Sequence, residues 1–227
     1  MASTRTPLTV NVTEDTPGQL KAAAKLWRDH DRAWLAEQRQ ALPVYPRKEA
    51  RDAAAALRVE HARLRAEGVL VGSATDLVAH HARAVLTARD LEGDYAPLPP
   101  GARTRGRPYG RGPLYPQQYT ELKTKMTFDL PADLAQQLIR AAYWTSADAV
   151  TELEKWADRF GPGPAIGGPA GALALLANAI GGPRAADMTE REKLRRQIIT
   201  VGDLLREAIE AAIDAPTPPP LPEPEPT

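Results

Sequence analysis

The sequence predicts a mainly helical chain: a helical bundle or hairpin region, a small strand-helix-helix unit that dimerises, linkers between modules and a disordered tail. Three observations carry this. Of the 227 residues 43% are apolar, but Ala alone supplies 40, and Leu, Val, Ile and Phe together supply only 44, close to the level at which a large core is hard to build. The 16 Gly and 22 Pro gather in a few stretches, which favours short modules joined by linkers over one large core. Apolar residues recur at helical spacing over most of the remaining chain and alternate strictly in one short segment. An all-β domain and a large α/β enzyme are disfavoured.

Cysteine is absent. That excludes disulfides, thiolate metal sites and a Cys nucleophile, and it fits a reducing compartment. Lys and Arg number 29, as do Asp and Glu, so a uniformly basic nucleic-acid coat protein is excluded and any basic patch is local. The N-terminus lacks a basic-then-apolar signal pattern. The longest apolar run, Gly171 to Ile180, falls short of the ~20 residues that span a bilayer. The expectation is a soluble cytoplasmic protein with no membrane partner.

Residues 1–16 read as a flexible N-terminal arm, although the alternating Leu8, Val10 and Val12 also suit a short strand. Residues 17–92 form an N-terminal helical region. Pro17 opens its first helix, which carries Leu20, Ala24, Trp27, Trp34 and Leu35 at helical spacing. Pro43-Val44-Tyr45-Pro46 breaks it. The second helix runs from about Arg47 to Glu67, with Ala54, Leu57, His61 and Leu64 on one face, and Gly68 ends it. Ser73 or Thr75 caps a third, carrying Leu77, Val78, His81, Val85 and Leu86. Trp27 and Trp34, seven apart, read as core or a dimer seam. This region is also the expected seat of any protein partner.

Residues 93–120, rich in Gly, Pro and Arg, form a linker. In 121–160, Met126, Phe128 and Leu130 alternate with Lys125, Thr127 and Asp129, giving a strand with one apolar and one polar face. Pro131 suits the first turn of a following helix, which carries Leu134, Leu138, Ile139 and Ala142 inward. Thr145 and Ser146 mark a break and the cap of a second helix with Val150, Leu153, Trp156 and Phe160. A lone strand leaves both edges unpaired, and three such elements bury too little apolar area alone. Pairing the strand with its copy in a second chain solves both problems and turns Lys125, Thr127 and Asp129 outward. A two-stranded ribbon fits the major groove of B-DNA.

With this alternation from Lys125 to Leu130, Pro131, Leu134 and the cap at Ser146, the segment 121–160 resembles the ribbon-helix-helix DNA-binding family, over about 40 of the 227 residues. The resemblance implies a homodimer on double-stranded DNA. It implies that Lys125, Thr127 and Asp129 read bases, with Lys123 beside them, and that the backbone of Thr145 and Ser146 holds a phosphate at a helix N-terminus. Asp129 and the glycine-free turn Tyr143-Trp144-Thr145-Ser146 depart from the family pattern. The other reading of the alternation is core packing within an ordinary fold. Just upstream, Arg105-Gly106-Arg107-Pro108 resembles the core of an AT-hook. Gly lets the backbone reach the minor-groove floor, Arg105 and Arg107 follow the narrow electronegative groove, and Pro keeps the chain extended. With Arg103, Arg105, Arg107, Arg111, Lys123 and Lys125 against Glu121, residues 101–127 carry +5. The other reading is a soluble spacer.

Residues 161–168 form a second linker. Residues 169–214 hold C-terminal helices: a short Ala/Leu helix near 170–180, then one from Thr189, whose spacing to Glu192 suits a capping box, to Ile213. Leu194, Ile198, Val201, Leu205 and Ile209 lie near the heptad period and suggest self-association. Residues 215–227 are a Pro/Glu-rich disordered tail. No residue set supports catalysis, a metal site or a cofactor. His80 and His81 are adjacent, so they leave a helix about 100° apart, and Gly167-Gly168-Pro169 lacks the Lys and the strand of a phosphate loop. The expected function is sequence-specific DNA binding as a dimer, in transcriptional repression or in plasmid or mobile-element segregation or transfer. The rivals are a helical interaction protein without DNA binding and an antitoxin-type repressor.

Overall fold

The computed structural model describes residues 5–45, 47–102, 122–160, 185–215 and 218. Their order is β1 (Arg5–Val12), α1 (Thr16–Gln40), α2 (Arg47–Ala66), α3 (Ala74–Ala88), β2 (Thr124–Pro131), α4 (Ala132–Phe160), α5 (Ala185–Gln197) and α6 (Val201–Asp214). The architecture is mainly helical with one small antiparallel sheet, β1 against β2. Among the described residues no helix is long and apolar enough to cross a membrane. The short Ala/Leu helix expected near 170–180 and the linker at 161–168 lie outside the described residues, as does all of the tail but Ala215 and Pro218.

The strand at 124–131 finds its partner within the chain. Arg5 faces Pro131, Leu8 faces Phe128, Val10 faces Met126 and Val12 faces Thr124. This corrects the expectation that the strand pairs with its copy in a second chain, and that the N-terminal segment is a flexible arm. The physical reason is complementarity at high effective concentration. Both strands have eight residues; Leu8 and Val10 stand opposite Phe128 and Met126, and Val12 and Leu130 extend the same apolar face. Pro7, which lacks a backbone donor, sits on a strand whose other side has no sheet partner among the described residues, where proline is tolerated.

The first three helices form where the periodicity places them. Pro17 stands in the first turn of α1. At the end of α2, Gly68 adopts φ +77° and Val69 N–H donates to the Leu64 carbonyl at 2.9 Å. A Cβ on Gly68 would sit 2.4 Å from His80 Nδ1, so both the left-handed backbone and the close approach require glycine. Ser73 caps α3, its hydroxyl accepting from the Asp76 N–H at 3.1 Å.

Two later elements differ from expectation. There is no turn at Thr145-Ser146: α4 runs unbroken for 29 residues. No Gly or Pro interrupts Ala142 to Ala147, and the Ser146 hydroxyl is engaged elsewhere. It donates to the Ile199 carbonyl at 3.0 Å and accepts from the Ile199 N–H at 2.9 Å. The C-terminal helix is instead divided. Thr189 lies inside α5, and the capping box is Thr200 with Asp203 at the start of α6. Ser146 holds the break between α5 and α6, so the cap forms where the tertiary contact fixes extended backbone.

The main core joins the inner ribbon face (Leu8, Val10, Phe128, Leu130) to Leu20 and Trp27 of α1, Leu77 and Leu86 of α3, Leu134 and Leu138 of α4, and Leu204 and Ile209 of α6. Leu205 and Ile209 of the heptad-spaced set are thus occupied within the chain, with Val201 packed against them, while Leu194 and Ile198 are not part of this core. Arg89, at the C-terminal cap of α3, and Glu207 of α6 add an ion pair at 2.6 Å. A separate small cluster, Trp34, Leu64 and Leu70, closes the far part of the α1–α2 hairpin. Both tryptophans of α1 are buried core residues.

Candidate nucleic-acid interface

The ribbon presents one face to the core and one to solvent, as the two-residue period of a strand dictates. The outward residues face each other in register: Pro7 with Asp129, Thr9 with Thr127, Asn11 with Lys125. All six are exposed. The Thr9 and Thr127 hydroxyls are 3.1 Å apart and hydrogen-bonded, a cross-strand pair that ties the middle of the ribbon. Eight residues per strand make a ribbon of roughly 27 Å. The charge on this face is uneven. Among the described residues Lys123 and Lys125 make no ion pair. Arg5 donates to the Asp129 carbonyl at 3.2 Å and pairs with Asp76 of α3 at 3.5 Å. The Asp129 carboxylate sits on the outer face opposite Pro7.

Lys123, Lys125, Thr127 and Asp129 therefore lie together on one exposed surface. Thr145 and Ser146 do not join them. They stand in the middle of α4, about 20 Å along the helix from Pro131. Their backbone N–H groups belong to helical hydrogen bonds, and Ser146 is buried. The phosphate site expected there needs a free helix N-terminus, and a continuous helix offers none. Arg105 and Arg107 lie outside the described residues.

The sequence reading missed that Arg5, Thr9 and Asn11 complete the outer face. Its signal was present in the alternation of Leu8, Val10 and Val12, which matches that of Met126, Phe128 and Leu130. It also missed a polar cluster between α1 and α2. Asp31 is 4% exposed. Its carboxylate meets His61 Nε2 at 2.7 Å and accepts from Arg65 Nε at 3.1 Å, while the His61 ring stacks on Trp34, centroids 5.8 Å apart. His61 and Arg65 share a helix face at i,i+4, but no local pattern marks Asp31, thirty residues earlier, as their partner.

His80 and His81 do meet, ring centroids 5.0 Å apart and edge to face, both against Trp27. Burial pushes both below the usual histidine range. Arg83 adds to the effect on His80, and His80 adds to that on His81, which falls to about 4. Among the described residues no group of three or more His, Asp or Glu is placed to hold a metal ion. A groove of about 370 Å³ opens beside the end of the ribbon, between Val12, Leu122, Arg206 and Ile213.

No protein-family model, curated protein or solved structure matches the chain.

Proposed function

We propose that this protein binds double-stranded DNA in a sequence-specific manner, laying the outer face of the β1–β2 ribbon in the major groove. The observation that carries the reading is the ribbon itself: a rigid, two-stranded element backed by helices, whose outward side chains are exposed and mostly polar. The major groove, about 12 Å wide, admits a two-stranded ribbon. In this reading Lys125, Thr127, Thr9 and Asn11 reach base edges, Lys123 and Arg5 meet phosphates, and Asp129 accepts from a cytosine amino group. The basic segment 101–127 enters β2 directly and supplies phosphate or minor-groove contacts through Arg105 and Arg107. One chain carries both strands, so the reader does not need a second copy, and its site need not be palindromic. Repression, segregation and transfer are all processes such a reader serves.

Selection of bound sequences from random duplex DNA tests the proposal. The expected result is an enriched motif that Lys125→Ala with Thr127→Ala abolishes, each lost base contact costing about 1–3 kcal/mol. A two-fold symmetric motif would return a dimer to the reading. Absence of any enriched motif overturns sequence-specific recognition. It would favour the helical interaction protein, for which the exposed Val44 and Tyr45 at the α1–α2 turn are the specific observation.

A further inference from the structure

The arginines of α2 fall on two separate edges of the helix, with Lys48 and Asp52 between them. Arg63 occupies one edge and closes on both of its acidic neighbours, 2.6 Å from Glu60 and 2.6 Å from Glu67. Arg47, Arg51, Arg58 and Arg65 fall within a sector of about 40° on the other edge, at 100° per residue. Arg65 is bound to buried Asp31. The other three are exposed and, among the described residues, make no ion pair. Arg58 donates through Nε to the Ala54 carbonyl at 3.1 Å, which leaves its two Nη groups facing outward. Arg47 and Arg51 stand at i,i+4, a like-charge spacing that disfavours a helix.

We propose that this arginine edge of α2 is a second, sequence-independent nucleic-acid contact that grips the phosphate backbone of duplex DNA apart from the ribbon. Three guanidinium groups spread over about 16 Å of helix axis form a straight cationic row, which matches the regular charge spacing of a duplex. The planar fork of Arg suits phosphate oxygens. An anionic membrane is the poorer fit. The outer face of α2 offers Ala55, Val59 and Ala62 and no Leu, Phe or Trp to enter the headgroup layer. The pairing of Asp31 with His61 and Arg65 fixes the rotation of α2 on α1 at the far end of the same edge.

The test is fluorescence anisotropy of full-length chain with a random-sequence 20-bp duplex across a salt series. Arg47, Arg51 and Arg58 are changed together to Gln, which keeps helix propensity and touches no core residue. The expected result is at least a tenfold loss of affinity near 100 mM salt and a fall of about 2–3 in the slope of log affinity against log salt. An unchanged slope overturns the proposal, as does a parent chain that binds phosphatidylglycerol vesicles but not the duplex. The ribbon variant Lys125→Ala with Thr127→Ala runs alongside. If it alone loses binding, the α2 edge is idle. If only the arginine variant loses binding, the α2 contact stands, and the ribbon is decided separately by the selection of bound sequences.

Discussion

Two histidine sites set the main core against the outer hairpin. His81 lies in the main core region, on α3 against Trp27, and among the described residues its Nε2 has no hydrogen-bond partner. His61 lies in the hairpin, and its Nε2 meets the buried Asp31 carboxylate. The core has enough apolar surface, from both strands and four helices, to hold an imidazole by burial alone, at the cost of keeping it neutral. The hairpin has only Trp34, Leu64 and Leu70 fully inside. There a carboxylate with two directional partners sets the rotation of one helix on the other. Apolar area supplies stability, and a satisfied polar cluster supplies geometry where that area is short.

Phe128→Ala is the largest expected break. Phe128 faces Leu8 in the ribbon and lies in the main core, so truncation should cost about 3–5 kcal/mol and lower a single cooperative melt. Because the ribbon closes within one chain, the melting temperature of the parent should not depend on protein concentration. A clear rise with concentration would reinstate a dimeric ribbon.

Acid comes next. The folded protein holds His81 at about 4, below the 6.5 of an unfolded histidine, so folding favours the neutral ring. The stability this provides is whole above about pH 6.5 and is lost as pH falls from there toward 4. The full loss is about 3 kcal/mol. Melts of parent and His81→Leu between pH 7 and 4 should diverge, with the variant the flatter. Parallel curves would mean that His81 does not set the acid response and that His80 or the carboxylates do.

Asp31→Ala should act locally. It leaves His61 and Arg65 without their buried acceptor and should cost about 2 kcal/mol. Hydrogen exchange should quicken in α2 and the outer turns of α1, with β2 and α4 unchanged. A uniform increase would make the hairpin and the core one cooperative unit.

Ser146→Ala should show the smallest effect, about 1–2 kcal/mol, from the loss of both bonds to the Ile199 backbone. Its DNA affinity should match the parent's. Loss of affinity in a variant that melts like the parent would give the Ser146 hydroxyl a role in DNA binding beyond its bonds to Ile199.

The helices of the first ninety residues were legible because their signals are local: apolar spacing, Pro17 at the start of α1, Gly68 after α2, Ser73 before α3. The strand at 124–131 and its outward residues Lys125, Thr127 and Asp129 were legible for the same reason, since a period of two fixes which side chains share a face. Thr145-Ser146 misled because Ser is a favoured cap whose hydroxyl also serves a tertiary bond. Only the position of Ile199, far along the chain, decides between those uses.

The sequence by itself determined the helices of the first ninety residues, the two faces of β2 and the absence of disulfide chemistry, each a property of neighbouring residues or of composition. Tertiary structure decided that β1 is the partner of β2, that α4 passes unbroken through Ser146, that Thr200 rather than Thr189 begins the last helix, and that Asp31 joins His61 and Arg65. Each of these is a contact between residues about thirty to well over a hundred positions apart. Such contacts depend on which surfaces remain to be covered once the local elements exist, and no short window of sequence carries that information.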